Sequence, residues 1–139
     1  MHTESLAPLP VQLPTRPVIV LAIDDEEMRA TYAFAILAVG FEVTTADHAI
    51  DVQHDRRAPL ADIIVVDVSP ASRHGWPFVQ KLKRHRRTFD IPVIAVAANV
   101  GTATCERARR EGCVAVCVRG CPAEMMAAGI RAVLDRARA

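Results

Sequence analysis

The chain has 139 residues, and its 17 basic and 16 acidic side chains leave a formal net charge of only +1. This balance argues against a domain that binds nucleic acid or a membrane surface over its whole face. Half of the residues (51%) are apolar and only 4% are aromatic, so we expect one domain with an aliphatic core.

Residues 1–16 carry Pro8, Pro10 and Pro14 without a helical or strand period, which predicts a flexible tail before a domain at 17–139. The N-terminus lacks the charged-then-apolar order of a signal peptide. No apolar run approaches the roughly 20 residues that a bilayer span requires. We therefore expect a cytoplasmic protein without membrane contact.

From residue 18 onward, strand and helix patterns alternate five times. The apolar runs and helical periods predict, in chain order, a strand at 18–23, helix 26–39, strand 41–46, helix 47–56, strand 61–68, helix 77–87, strand 92–98, helix 103–111, strand 114–118 and a last helix from about Pro122. Continuous apolar runs are typical of strands covered on both faces. The repeat predicts an α/β fold, a doubly wound parallel sheet with helices on both faces.

Ionisable residues follow three of these strands. Asp24 and Asp25 come after the first, Asp67 after the third and Arg119 after the fifth. Ligands of such sheets bind at the carboxyl ends of the strands, so we expect the four side chains to converge. A hard divalent ion, most naturally Mg²⁺, would neutralise three carboxylates. Asp67 is then expected between the ion and Arg119, partly exposed, ionised and able to attack phosphorus.

The acidic run 24–27 has a second interpretation, because acids also stabilise the N-terminus of a helix. The four cysteines, Cys105, Cys113, Cys117 and Cys121, form no CxxC pair. We interpret them as reduced and mostly buried thiols without a metal.

The spacing of the strand-end residues resembles that of receiver domains of two-component response regulators, from about Val18 to Arg136. In that family an acidic pair ends the first strand and the phosphoacceptor Asp ends the third. A Thr or Ser ends the fourth strand and a Lys the fifth. Here Ala97 stands 30 residues after Asp67 and Arg119 stands 52 residues after it, and Gly75 takes the family's glycine position. The resemblance implies a flavodoxin-like sheet with strand order 2-1-3-4-5.

The resemblance also implies roles for the residues. Asp25 would ligate Mg²⁺ directly and Asp24 largely through water. Asp67 would be both ligand and phosphoacceptor, and the backbone carbonyl of Ser69 would complete the protein ligands. A histidine kinase or phosphotransfer protein, or a small phosphodonor, would supply the phosphoryl group.

Four positions depart from the family pattern. Ala97 lacks the switch hydroxyl, so a hydrogen bond of roughly 1.5–3 kcal/mol to a bound phosphoryl group is lost. Val116 replaces the switch aromatic. Arg119 keeps the charge of the Lys but has a longer, planar head that still allows pairing with Asp67. Gly120 replaces a proline that usually follows a cis bond, and we predict a trans bond and a reshaped loop.

We therefore expect an atypical stand-alone receiver in bacterial phosphorelay signalling, since few residues follow the last helix. It is expected to act on a downstream protein through its last two helices and fifth strand, without enzymatic activity of its own. The sequence allows a homodimer but does not settle the oligomeric state. The alternative is a phosphorylation-independent pseudo-receiver. A phosphatase with Asp67 as nucleophile is disfavoured because Ser69 stands where a general acid is needed. Nucleic-acid binding rests only on the basic segment 81–87.

Overall fold

The computed structural model describes residues 16–53 and 61–138, so the predicted tail and the end of the second helix lie outside the described residues. The elements are β1 (Val18–Ala22), α1 (Glu26–Ala38), β2 (Glu42–Thr45), α2 (Ala49–Gln53), β3 (Ile63–Asp67), α3 (Gly75–Arg84), β4 (Val93–Ala97), α4 (Thr102–Arg110), β5 (Ala115–Val118) and α5 (Ala123–Arg138). The predicted order of strands and helices is confirmed.

The five strands form one parallel sheet in the order β2-β1-β3-β4-β5, which confirms the predicted fold class and strand order. The three central strands β1, β3 and β4 are buried along their whole length. The edge strands β2 and β5 are more exposed, as is expected where a strand has only one neighbour.

Alternate residues of the central strands face two separate cores. Val20, Ile64 and Ala95 pack with Phe78 and Leu82 of α3 on one face, where α2 also contributes. On the other face, the intervening strand residues pack against α1 and α5 through Tyr32, Ile36, Met126 and Ile130. This double layer brings the carboxyl ends of β1, β3, β4 and β5 to one rim of the sheet.

Helix α3 differs from its predicted bounds at both ends. It begins at Gly75, because a proline at position 77 is tolerated in a first turn whose N–H groups have no partner within the helix. It ends at Arg84, where His85 becomes extended and the Thr88 hydroxyl donates to the Leu82 carbonyl at 2.6 Å. The basic segment 81–87 therefore runs past the end of the helix.

The basic segment also uses part of its charge internally. The Lys83 ammonium donates to the backbone carbonyls of Phe89 and Ile91, each at 3.1 Å, and burial lowers the pKa of Lys83. This contact ties α3 to the loop before β4 and removes one cation from the surface on which the nucleic-acid interpretation rested.

All four cysteines are free thiols, and each is partly rather than fully buried. The prediction of mostly buried thiols is wrong in this respect, because Cys117 lies on an edge strand that is only partly covered. Burial raises the pKa of Cys113 and of Cys117 to about 11.

The two raised thiol pKa values predict a loss of stability at alkaline pH. Below the unfolded-state pKa near 9 their contribution is fully present, and it is lost as pH rises through about 11, because the unfolded chain ionises first. Urea unfolding of the wild type between pH 8 and 11 is expected to give a falling free energy of unfolding. The variant Cys113→Ala/Cys117→Ala should show a shallower slope, and identical slopes would contradict the prediction.

The described part of the chain contains no helix with the length and apolar character that crossing a membrane requires.

Candidate functional site

The site lies at the rim of the sheet, where Asp25 has two partners at once. Its carboxylate caps α1, with Oδ1 accepting from the Met28 N–H at 2.9 Å, and Glu26 and Glu27 fill the first turn. Its Oδ2 accepts from Nη2 of Arg119 at 3.0 Å. The interpretation of the acidic run as a helix start is confirmed by the Asp25 cap, and Asp25 also belongs to the strand-end cluster through Arg119.

Asp67 ends β3, and its side chain is fully buried, with 0% exposed. Oδ1 accepts from the Ser69 backbone N–H at 2.9 Å, and Oδ2 accepts from Nε of Arg119 at 3.4 Å. The expectation of a partly exposed carboxylate is therefore wrong. Each oxygen has a hydrogen-bond donor from the protein, the Ser69 N–H for Oδ1 and the Arg119 guanidinium for Oδ2.

Arg119 bridges Asp25 and Asp67 with one guanidinium group. Its backbone N–H donates to the Ala97 carbonyl at 2.7 Å, which fixes the start of its side chain beside the end of β4. The Cys121 N–H donates to the Val118 carbonyl at 3.0 Å, and Gly120 between them has a φ of +87°. This is the geometry of a type II turn, in which a positive φ at the third position favours glycine.

The turn explains what replaces the family's proline. A proline at position 120 cannot adopt a φ of +87°, because its ring holds φ near −65°. The described residues contain no cis peptide bond, so the predicted trans bond between Arg119 and Gly120 is confirmed. The loop whose conformation the sequence did not specify is thus a tight turn that presents Arg119 to the two carboxylates.

Asp24 turns away from this pair and meets Arg73. Its Oδ2 accepts from the Arg73 backbone N–H at 3.1 Å and from Nε at 3.2 Å. Desolvation opposes ionisation of Asp24, but the hydrogen bonds from Arg73 outweigh it and hold the pKa of Asp24 below its usual value. Because Arg73 is three-quarters exposed, we expect this ion pair to contribute little to stability.

The arrangement does not fit a divalent ion shared by Asp24, Asp25 and Asp67. Asp25 and Asp67 share the single positive charge of Arg119, and Asp24 is paired with Arg73. The Ser69 carbonyl, predicted as a further ligand, accepts from the Ser72 N–H at 3.0 Å. Over residues 16–53 and 61–138, no three His, Cys, Asp or Glu side chains are grouped so that they could hold a metal ion. The Mg²⁺ site stays a prediction, and in this geometry arginines supply the positive charge.

The two positions without switch residues lie close to the cluster. Ala97 ends β4 and is buried, and its carbonyl holds Arg119. Val116 pairs with Ala95 across β4 and β5 and packs partly buried against the core that contains α3. Neither side chain carries a hydroxyl or an aromatic ring, so neither reproduces the family's moving parts.

The sequence analysis assigned no role to Arg73 or to His74. Arg73 lies in the loop after β3, and nothing in its spacing marks it as a partner of Asp24. His74 is buried, with its ring edge-on to Phe78 at 5.1 Å. Its positive charge, when present, helps to lower the pKa of Asp24. Its position in the segment that follows Asp67 was the signal available in the sequence.

No protein-family model and no curated protein matches the chain by sequence, whereas many solved structures match it in fold. The chemotaxis response regulator CheY4 of Vibrio cholerae aligns with a TM-score of 0.74 at 18% identity, over 86% of this chain and 99% of that one. A CheY-like receiver domain protein of Methanospirillum hungatei aligns with a TM-score of 0.72 at 16% identity, over 88% and 96%. The phosphorylated cyanobacterial phytochrome response regulator RcpA gives 0.66 at 15% identity, over 86% and 91%. The five-stranded order and these alignments show that the chain has the fold of response-regulator receiver domains.

Proposed function

We propose that this chain is an atypical receiver module of two-component signalling that acts through protein contacts and does not depend on phosphorylation of Asp67. The observation that carries the proposal is the complete burial of Asp67, with both of its oxygens engaged by Ser69 and Arg119. In this arrangement a phosphodonor reaches neither oxygen unless Arg119 moves away. The absence of a hydroxyl at Ala97 and of an aromatic ring at Val116 supports the same conclusion.

The guanidinium of Arg119 holds the rim of this module in one conformation. It stands between two carboxylates and offsets one of their two negative charges. Because the charge is covalently attached and held by a tight turn, the rim keeps one arrangement without an added ion. We therefore propose that the module keeps one conformation at all times. It would signal by being present and by binding its partners.

The partner surface that we propose lies on α4, β5 and α5. Val114, Val118 and Met125 are exposed apolar side chains there, at 50%, 38% and 64%. The last turn of α4 adds the basic residues Arg107, Arg109 and Arg110. A downstream protein with an apolar and acidic surface fits this combination. A histidine kinase or phosphotransfer protein remains a proposed binding partner, without transfer of a phosphoryl group to Asp67.

A second candidate function is a conventional phosphoacceptor at Asp67. It is favoured by the meeting of Asp67, Asp25 and a basic residue at one rim, and by the 34% exposure of the Arg119 side chain. Departure of that side chain would uncover the buried carboxylate. The candidate requires Arg119 and Arg73 to release their carboxylates before Mg²⁺ and a phosphodonor could bind.

Exposure to a phosphodonor separates the two candidates. We expect no mass increase of the intact chain after incubation with acetyl phosphate and Mg²⁺, and no backbone amide shift around Asp67 on adding beryllofluoride. RcpA, which has been crystallised in its phosphorylated form, serves as the positive control. A mass increase that disappears in Asp67→Asn would support the second candidate and end the first.

An enzymatic role is not part of the proposal. A phosphatase with Asp67 as nucleophile needs a second carboxylate as general acid, and position 69 holds a serine whose buried hydroxyl has no hydrogen-bond partner in the described residues. We expect no turnover of a phosphate ester by the purified chain. Measurable hydrolysis that is lost in Asp67→Asn would overturn this expectation.

A further inference from the structure

Helix α1 carries an exposed apolar face that the proposed function does not use. From Ala30 to Phe41 the sequence has no charged residue. Phe34 is 77% exposed and Leu37 is 54% exposed, and at a spacing of three they lie next to each other on the helix surface. Scattered apolar residues are normal on a surface, but adjacent large ones mark an interaction site.

A groove continues this face between α1 and α5. It has a volume of about 400 Å³, with Phe34 and Val39 on its α1 side. Most of its other lining residues have small side chains: Ala35, Ala38, Ala127 and Ala128. Small side chains let another helix or ring approach the backbone closely. The groove therefore complements a protruding aromatic ring, and Phe34 is such a ring on the same surface.

Two opposite charges lie at the ends of the groove on α5. Glu124 is in the first turn, and Arg131 follows two turns later, about 10 Å along the helix. The Arg131 guanidinium stacks over the Phe41 ring at 4.7 Å and donates to the Val39 carbonyl at 3.4 Å, so it is held at its end of the groove. Ala127 and Ala128 lie midway between the two charges.

We infer that this groove is a two-fold interface between two copies of the chain. When α5 packs antiparallel to α5 of a second copy, with the axis beside the exposed Ala128, Glu124 lies opposite the partner subunit's Arg131, and Arg131 opposite the partner subunit's Glu124. Such an interface is self-complementary, as two-fold symmetry requires. Each Phe34 ring enters the small-residue groove of the other copy. The inference does not rest on the proposed function of the rim.

Sedimentation equilibrium of the full chain from 1 μM to 1 mM under reducing conditions tests the interface. We expect a dimer, and Phe34→Asp is expected to raise the dimer dissociation constant roughly 30-fold, as for a buried aromatic anchor. Phe89→Asp is the matched control, since Phe89 is also exposed (56%) but lies on the loop before β4. A wild type that is monomeric throughout, or equal effects of the two variants, would overturn the inference.

A charge exchange tests the antiparallel pairing and does not depend on the aromatic variant. Glu124→Arg and Arg131→Glu are each expected to raise the dissociation constant about tenfold, because each places like charges together twice in the dimer. The double variant restores opposite pairs and is expected to recover most of the affinity. Circular dichroism of each variant is the control for folding. A double variant no tighter than the single ones would exclude this interface.

Discussion

Replacing Arg119 by alanine is expected to lower the free energy of unfolding by about 3 kcal/mol, since removal of one partner leaves a buried charge without compensation. Asp67 is fully buried, and the guanidinium is its cationic partner. The same substitution also leaves Asp25 without its 3.0 Å contact. Urea unfolding at neutral pH, followed by the fluorescence of Trp76 or by circular dichroism, measures the change.

Two further variants make this prediction specific. Arg73→Ala removes the exposed ion pair with Asp24 and is expected to cost less than about 1 kcal/mol. Asp67→Asn combined with Arg119→Ala removes the buried charge together with its partner, so much of the lost stability should return. If Arg119→Ala cost no more than Arg73→Ala, or if the double variant showed no recovery, the guanidinium would not be the internal counter-ion that we describe.

Replacing Gly120 by proline is expected to destabilise the domain by about 3 kcal/mol, although proline is what the receiver family has at this place. The reason is the φ of +87° at Gly120, which the proline ring excludes. Beyond the two neighbouring residues, no atom lies within 4 Å of the place that a Cβ would take at position 120. The cost therefore comes from the backbone conformation and not from a clash. The type II turn that presents Arg119 would have to be rebuilt.

Alanine substitutions provide the comparison. Gly120→Ala and Gly40→Ala both place a side chain at a positive φ with open space around it, so each is expected to cost about 1 kcal/mol. Gly40 lies after α1, away from the rim, and its variant should leave the NMR signals of Arg119 unchanged. Chemical denaturation gives the free energies. A Gly120→Pro variant as stable as the wild type would mean that this turn is not required.

The solved receiver domains are only 15–18% identical to this chain, although its strand-end residues keep the spacing of the family. The positions that would identify the family are those that bind, sense or transmit a phosphoryl group, and four of them differ here: Ala97, Val116, Arg119 and Gly120. The fold depends instead on apolar strands and their spacing, which many different aliphatic sequences satisfy. The fold is therefore shared with proteins that are only 15–18% identical.

The predicted strand ends were more accurate than the predicted chemistry at the rim. Asp67 and Arg119 were expected to meet because parallel strands end at one edge, and they do meet. Their exposure and their partners were not predictable, since Arg73 approaches from a loop whose path no periodicity describes. The choice between a metal ion and a guanidinium as the source of positive charge likewise depends on where long side chains point.

The sequence by itself determined the order of five strands and five helices, the parallel sheet and the carboxylates at its rim. These follow from local apolar periodicity and from the rule that parallel strands end together. Only the tertiary structure decided that Asp67 is buried and that Asp24 forms an ion pair with Arg73. It also decided that the turn at Gly120 directs Arg119 toward the carboxylates. The physical reason is that these contacts join residues up to 94 positions apart, and their geometry is fixed by packing and not by spacing along the chain.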